Sequence, residues 1–404
     1  MTKTTYDFDT VLDRRNTACE KWDSLKRVFG TEDVLPLWVA DMDFASPPQV
    51  VGALRARVDH PTYGYTFATE RTRAAVAGWL QRTHGWAVDP DWIVFCPGVV
   101  PSIAVAILAY TAPGDGVVIQ SPVYGPFFRV IRANGRTIVN NRLLHKGSRY
   151  EMDWEDLEAK LSGARGADDC TASDASEEAG APAPVRMMVL CSPANPVGRV
   201  WTEAELSRLV QLCREHNVLL VSDEIHADIV YPGHVHRPTG DVVLMAPSKT
   251  FNMQGLASAF AVIPDASIRE RFAQAQSGLG MGDPNALALA AMEAAYTCCD
   301  DWYHQLLDYL RGNRDYVMDF AARFLPGISP LPLEGMYVMW LDCRGLGLEH
   351  DQLKEFFIHK ARVGLTDGRF FGPGGDGFMR LNIGCSRQVL SEALERIQAA
   401  LDTL

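Results

Sequence analysis

Short apolar runs that stop abruptly at polar residues recur through the middle of the chain, and each reads as a buried strand with its polarity gathered at the carboxyl end. Trp92-Ile93-Val94-Phe95 runs into Cys96-Pro97-Gly98, Arg186 to Cys191 into Ser192-Pro193-Ala194-Asn195-Pro196, and Val218 to Ser222 into Asp223-Glu224-Ile225-His226. Val242-Val243-Leu244-Met245 runs into Ala246-Pro247-Ser248-Lys249. Between the second and third runs, Thr202-Glu203-Ala204-Glu205 has capping-box form, and Leu206, Leu209, Val210 and Cys213 then recur at helical spacing. That is a strand, helix, strand unit, which forces a parallel pairing with a right-handed crossover. The chain is therefore expected to be α/β, with a mostly parallel central sheet flanked by helices.

Ligands of open α/β sheets bind beyond the carboxyl ends of the strands, and Asn195, Asp223 and Lys249 all fall at such ends. Taken singly, Asn195-Pro196 is a turn, Asp223 a helix cap and Lys249 a lysine that snorkels to water. Taken together, an amide, a carboxylate and an amine in one crevice suit pyridoxal 5′-phosphate. The amine forms an imine with the aldehyde, the carboxylate pairs with the protonated ring nitrogen, and the amide donates to the phenolic oxygen. The phosphate needs its own site. Gly98, Val99 and Val100 open an apolar helix whose first amides and dipole favour an anion, and Ser248 and Tyr65 offer hydroxyls.

At this point the motifs line up with a known family. Pro36 to Phe44 (PLWVADMDF), Ser121 to Phe127 (SPVYGPF), Cys191 to Trp201 (CSPANPVGRVW), Ser222 to His226 (SDEIH) and Ala246 to Asn252 (APSKTFN) resemble the MalY/PatB family, the cystathionine β-lyase-like carbon–sulfur lyases of the fold-type I pyridoxal-phosphate superfamily. The resemblance runs from about Asp13 to Arg387. It implies a large cofactor domain and a smaller α+β domain. It also implies that Lys249 is the Schiff-base lysine, Asp223 the ring-nitrogen partner, Asn195 the phenolic-oxygen donor and Tyr124 the aromatic stacked on the ring. Tyr65 corresponds to a tyrosine that reaches the partner's phosphate, so the resemblance implies a homodimer with shared active sites. Arg380 corresponds to the arginine that holds the substrate carboxylate, with Ala40 also on the substrate side.

Arg380 carries an independent argument. Its neighbours Phe378, Met379, Leu381 and Ile383 are apolar, and a buried guanidinium needs a partner, either a structural acid or a substrate carboxylate held bidentately. Other positions depart from related enzymes. His226 stands where many aminotransferases of this fold have tyrosine, and it either tunes the phenolic oxygen or orients Asp223. Ala246 replaces a common phosphate-binding serine, and no arginine follows between Thr250 and Ala261. Gly98 and its helix, with Tyr65, are left to carry more of the phosphate.

The remaining composition narrows the picture. A net charge of −12 and the lack of a basic stripe argue against a nucleic-acid surface. Met1 to Thr10 lacks a secretory apolar core and no long apolar run suggests a membrane span, so a cytoplasmic enzyme is expected. The nine cysteines are scattered without a Cys-x-x-Cys pair, which argues against a disulfide framework or a zinc site. Expected domain limits are 1–62 for an amino-terminal arm and part of the small domain, 63–276 for the cofactor domain and 277–404 for a linking helix and the carboxyl-terminal small domain. Within the second, the acidic, Ala/Gly/Ser/Pro-rich segment 162–184 reads as a solvated insertion. The expected activity is β-elimination from an amino-acid thioether such as cystathionine, giving a thiol, pyruvate and ammonia. An aminotransferase with the same cofactor residues, or a regulatory protein contacting a transcriptional activator, are the other readings.

Overall fold

A computed structural model describes residues 4–163 and 184–404. Nearly all of the acidic segment 162–184 lies outside these residues. The central sheet has seven strands: β1 (Ile93–Cys96), β2 (Gly116–Ile119), β3 (Thr137–Asn140), β4 (Val185–Cys191), β5 (Leu219–Asp223), β6 (Val242–Met245) and β7 (Ala259–Val262). Their spatial order is β1-β7-β6-β5-β4-β2-β3. Pairings from β6 through β3 are parallel, and β7 alone runs antiparallel to both its neighbours. The expected mostly parallel α/β sheet is present.

Both faces of this sheet are buried, which is why its strands read as unbroken apolar runs rather than as alternation. Along β4, Met187 and Val189 pack with Ile103, Ala106 and Ile107 of helix α1 (Val99–Tyr110). Met188 and Leu190 face the other way, onto Leu206, Leu209 and Cys213 of helix α2 (Glu203–Glu215). The predicted capping box starts α2: Thr202 accepts from the Glu205 amide while the Glu205 carboxylate accepts from the Thr202 amide. Lys249 falls on α3 (Ser248–Phe251), a single turn directly after β6. Asn252 ends that turn in the left-handed region, at φ 53°, which asparagine tolerates better than most residues.

A second, antiparallel sheet orders Ser329–Pro330, Val338–Asp342, Phe378–Asn382 and Thr366–Asp367 side by side. The apolar run that follows Glu334 becomes strand only at Val338. Met336 takes φ 73°, and Glu334 and Met336 are bonded back to Tyr231 and Ile229 instead of pairing in the sheet. The final helix, α4, covers Arg387–Leu401 with Ser386 as its cap. Its Leu390, Leu394 and Ile397 share one core with Leu37 and Met42 from near the amino terminus and Met292 and Leu306 from beyond the central sheet. This shared core anchors the segment Trp38–Asp43 over the carboxyl ends of β4, β5 and β6. Among the described residues no helix is long and apolar enough to cross a membrane.

Candidate active site

A cavity of about 740 Å³ opens at those strand ends, and Asn195, Asp223, His226, Ser248, Lys249, Tyr124 and Arg380 all line it. Lys249 donates a hydrogen bond to the Ala40 carbonyl. Burial and then the nearby positive charge of Arg380 lower its amine from 10.5 to about 8, against the opposing pull of Asp41 and Asp223. A neutral amine is thus accessible near physiological pH.

Asp223 is buried at the end of β5, where one carboxylate oxygen accepts the Ile225 amide at 3.1 Å. Burial raises its carboxyl to about 7, because one backbone amide and a neighbouring lysine do not replace lost hydration. His226 is also buried, and its Nδ1 has no hydrogen-bond partner among the described residues. Burial, with Lys249 and Arg380 nearby, pushes it well below its ordinary range, so it is neutral. Its ring meets Tyr337 edge-on at 5.8 Å.

Arg380 lies on the strand Phe378–Asn382, only 4% exposed. Nη1 donates to Asn195 Oδ1 at 3.1 Å, and Nη2 donates to the Trp38 carbonyl at 2.8 Å and Thr366 Oγ1 at 3.1 Å. Its Nε has no partner among the described residues. No carboxylate pairs with it among the described residues, and burial lowers it to about 10. The bond to Asn195 has a second effect. By holding Oδ1, it leaves the Asn195 amide nitrogen as the free, donating end.

The segment Trp38–Asp43 is gripped carbonyl by carbonyl. Arg380 and Thr366 hold Trp38, Asn382 holds Val39 at 2.6 Å, Lys249 and Tyr337 hold Ala40, and Arg14 and Asn252 hold Met42. Ala40 therefore meets the site through its backbone. Tyr337, Thr366 and Asn382 escaped the sequence reading because each is a polar residue on a strand or its approach, with no motif to mark it.

At the other end of the cavity, Gly98, Val99 and Val100 form the start of α1, as expected. Gly98 is extended at φ 173°, and a Cβ there would make only ordinary contact, 3.4 Å from the Pro101 ring. The chain itself does not demand glycine; its bare face is left open to a ligand. Ser248 is buried here, and so is Ser258, whose Oγ has no partner. Ser258 was missed because Ala257-Ser258-Ala259 carries no pattern. Tyr124 sits edge-on to Phe370 at 6.2 Å. Tyr65 does not line this cavity and is fully exposed on the chain surface.

The chain matches the family described as aminotransferase class I and II over residues 32–397. It is 42% identical to cystathionine beta-lyase PatB of Bacillus subtilis (strain 168), covering 98% of this chain and 100% of that protein. This chain belongs to that family. Within it, the chain falls in the MalY/PatB branch: it is also 34% identical to protein MalY of Escherichia coli (strain K12), over 96% of this chain and 97% of that one. The structure of cystalysin from Treponema denticola, which contains a pyridoxal 5′-phosphate cofactor, superposes with a TM-score of 0.91 at 34% identity, covering 99% of this chain and 100% of that chain. The protein has the fold of type I pyridoxal-phosphate enzymes, uses that cofactor and is a carbon–sulfur lyase.

The residues present fit the cofactor. A buried carboxylate with no salt-bridge partner among the described residues, a buried imidazole whose Nδ1 is unpartnered among them and a lysine with a depressed amine stand at one end. An open glycine, a helix start and an unpartnered serine hydroxyl stand at the other.

Proposed function

We propose that the enzyme catalyses β-elimination from L-cysteine S-conjugates, cystathionine among them, releasing a thiol, pyruvate and ammonia. The observation that carries this reading is Arg380, a buried guanidinium with no acid partner among the described residues, beside a lysine whose amine is lowered to about 8. An amino-acid carboxylate supplies the missing charge in bidentate form.

Bound pyridoxal phosphate supplies an electron sink for the pair left behind when the substrate loses its α-proton. Arg380 holds the substrate carboxylate and fixes which face of Cα is presented. Lys249, whose amine would hold the cofactor's aldehyde in the resting enzyme, would take the α-proton as a neutral base. Asp223 would hold a proton at the ring nitrogen, and that opposite charge would relieve its own raised pKa. Asn195 would donate to the phenolic oxygen through the nitrogen that Arg380 leaves free, with neutral His226 beside them. Val99, Val100, Ser248 and the bare face of Gly98 would take the phosphate, and Tyr124 would stack on the ring. Proton return from Lys249 to the departing sulfur completes elimination, and the released enamine hydrolyses with water to pyruvate and ammonia.

Tyr65 fits a homodimer in which it reaches the partner's phosphate, since it is exposed on its own chain and remote from its own cavity. The test is to incubate purified enzyme with cystathionine and other S-conjugates and measure pyruvate without any keto acid. Pyruvate formation that is lost in Lys249→Ala by about 10³-fold or more supports the reading. Amino-group transfer seen only with 2-oxoglutarate would show an aminotransferase instead.

A further inference from the structure

Beyond the polar groups that converge on Lys249, most of the cavity wall is apolar, with the neutral amide of Gln254 as an exception. Val28, Phe29, Phe357, Ile358, Leu365 and Phe370 supply it. Phe29, at the end of the short helix Leu25–Phe29, lies edge-on to Trp38 at 5.8 Å. Its ring is wedged against the backbone of Gly364, where an added Cβ would come within 2.9 Å. Phe29 is thus held by packing on two sides.

Two ionisable side chains interrupt that wall, Lys354 and Asp367, and each already has a partner. They bind each other at 3.0 Å. Asp367 also accepts from His350 Nε2 at 2.6 Å and from the Arg369 amide at 2.8 Å. The role of His350 is fixed by its other nitrogen, which accepts the Gly377 amide at 3.0 Å. A leaving group that carries its own ammonium and carboxylate would find no free charge here. It would have to break the Lys354–Asp367 pair or lose hydration against aromatic and aliphatic carbon. A leaving group of carbon alone gains from the same wall by burial.

We propose that the cavity selects cysteine conjugates whose sulfur carries an uncharged, apolar substituent over those whose leaving half carries a second amino-acid head group. This rests on the lyase reading above and names the substrate class of that site. The conjugate loses its α-proton to Lys249 and its Cβ–S bond breaks with both electrons going to sulfur. The thiolate recovers a proton and leaves as an apolar thiol.

The experiment compares S-benzyl-L-cysteine, S-methyl-L-cysteine and L-cystathionine on the holoenzyme. Two readouts are taken: kcat/KM for pyruvate release, and apparent dissociation constants from the change each compound causes in the absorbance of the bound cofactor. The benzyl conjugate is expected to exceed cystathionine about tenfold or more in both, the size of step that a well-fitted apolar pocket gives. Cystathionine binding as tightly as the benzyl conjugate, or tighter, overturns the proposal. If no conjugate yields pyruvate, the lyase reading fails, and the dissociation constants still decide the preference. Val28, 41% exposed at this wall, gives a second measure. Val28→Asp is expected to lower the benzyl-to-methyl ratio of kcat/KM about tenfold, a change in ratio that loss of folded protein cannot produce. An unchanged ratio would count against the wall as the selector.

Discussion

Two buried arginines make the most instructive contrast in the molecule. Arg199 is 1% exposed and lies over the Trp201 ring at 4.8 Å; Arg380 is 4% exposed and lies over the Phe371 ring at 5.0 Å. Arg199 binds two carboxylates, Glu334 through Nε at 3.1 Å and Glu205 through Nη2 at 2.9 Å, and donates to the Tyr150 carbonyl as well. Glu334 in turn accepts the Val200 amide at 2.8 Å. Arg380 binds an amide, a carbonyl and a hydroxyl, with Nε left over. Equal burial with unequal neutralisation separates a structural clamp from one prepared for an incoming anion.

The contrast is most strongly tested by removing each charge. Arg199→Met strands Glu334 and Glu205, and is expected to destabilise the fold by about 3–5 kcal/mol in denaturant unfolding. Arg380→Met is expected to leave unfolding of the cofactor-free protein unchanged or more difficult, while kcat/KM for amino-acid substrates falls about 10²-fold or more, as loss of a buried charge partner does. Equal destabilisation by both would erase the distinction.

Asp223 sharpens the same point through pH. Its carboxyl sits at about 7 in the fold against 3.8 ordinarily, so between those values the folded chain keeps a proton that the unfolded chain releases. Stability of the cofactor-free protein is therefore expected to fall as pH rises through that window. Asp223→Asn removes this component of the fall, and so does reloading the cofactor, whose ring nitrogen supplies the cation. Urea midpoints across the window measure it, and a slope that Asp223→Asn leaves untouched would assign the effect elsewhere.

The smallest effect belongs to Tyr337, which donates to the Ala40 carbonyl at 3.0 Å while Lys249 donates to the same oxygen. Tyr337→Phe is expected to cost on the order of 1 kcal/mol. It also leaves Ala40 a stronger acceptor for an ammonium, so the acidic limb of the kcat profile is expected to move to higher pH. A profile that keeps its position would make the tyrosine merely structural.

Much of this was legible in the chain. The strands at Val185–Cys191 and Val242–Met245 are recognisable because both of their faces are buried and their lengths suit strands. Helix α2 declares itself through its capping box and its apolar spacing. Asn195, Asp223 and Lys249 could be gathered because a parallel sheet places successive strand ends along one edge. Tyr337, Thr366 and Ser258 could not, because their roles depend on backbone carbonyls or on an empty space contributed from hundreds of residues away.

Local chemistry along the chain is enough to specify the sheet, the cofactor class and the three groups at its strand ends. Each follows from short-range rules of periodicity, capping and strand polarity. Folding decides that Arg199 is fully neutralised and Arg380 is not. Both arginines are flanked by apolar residues, and although Glu205 lies six residues after Arg199, the second acid of Arg199 is not local. Glu334 reaches Arg199 across 135 residues, and no acid reaches Arg380 among the described residues. Long-range approach sets which charges are satisfied, and so which remain available for a substrate.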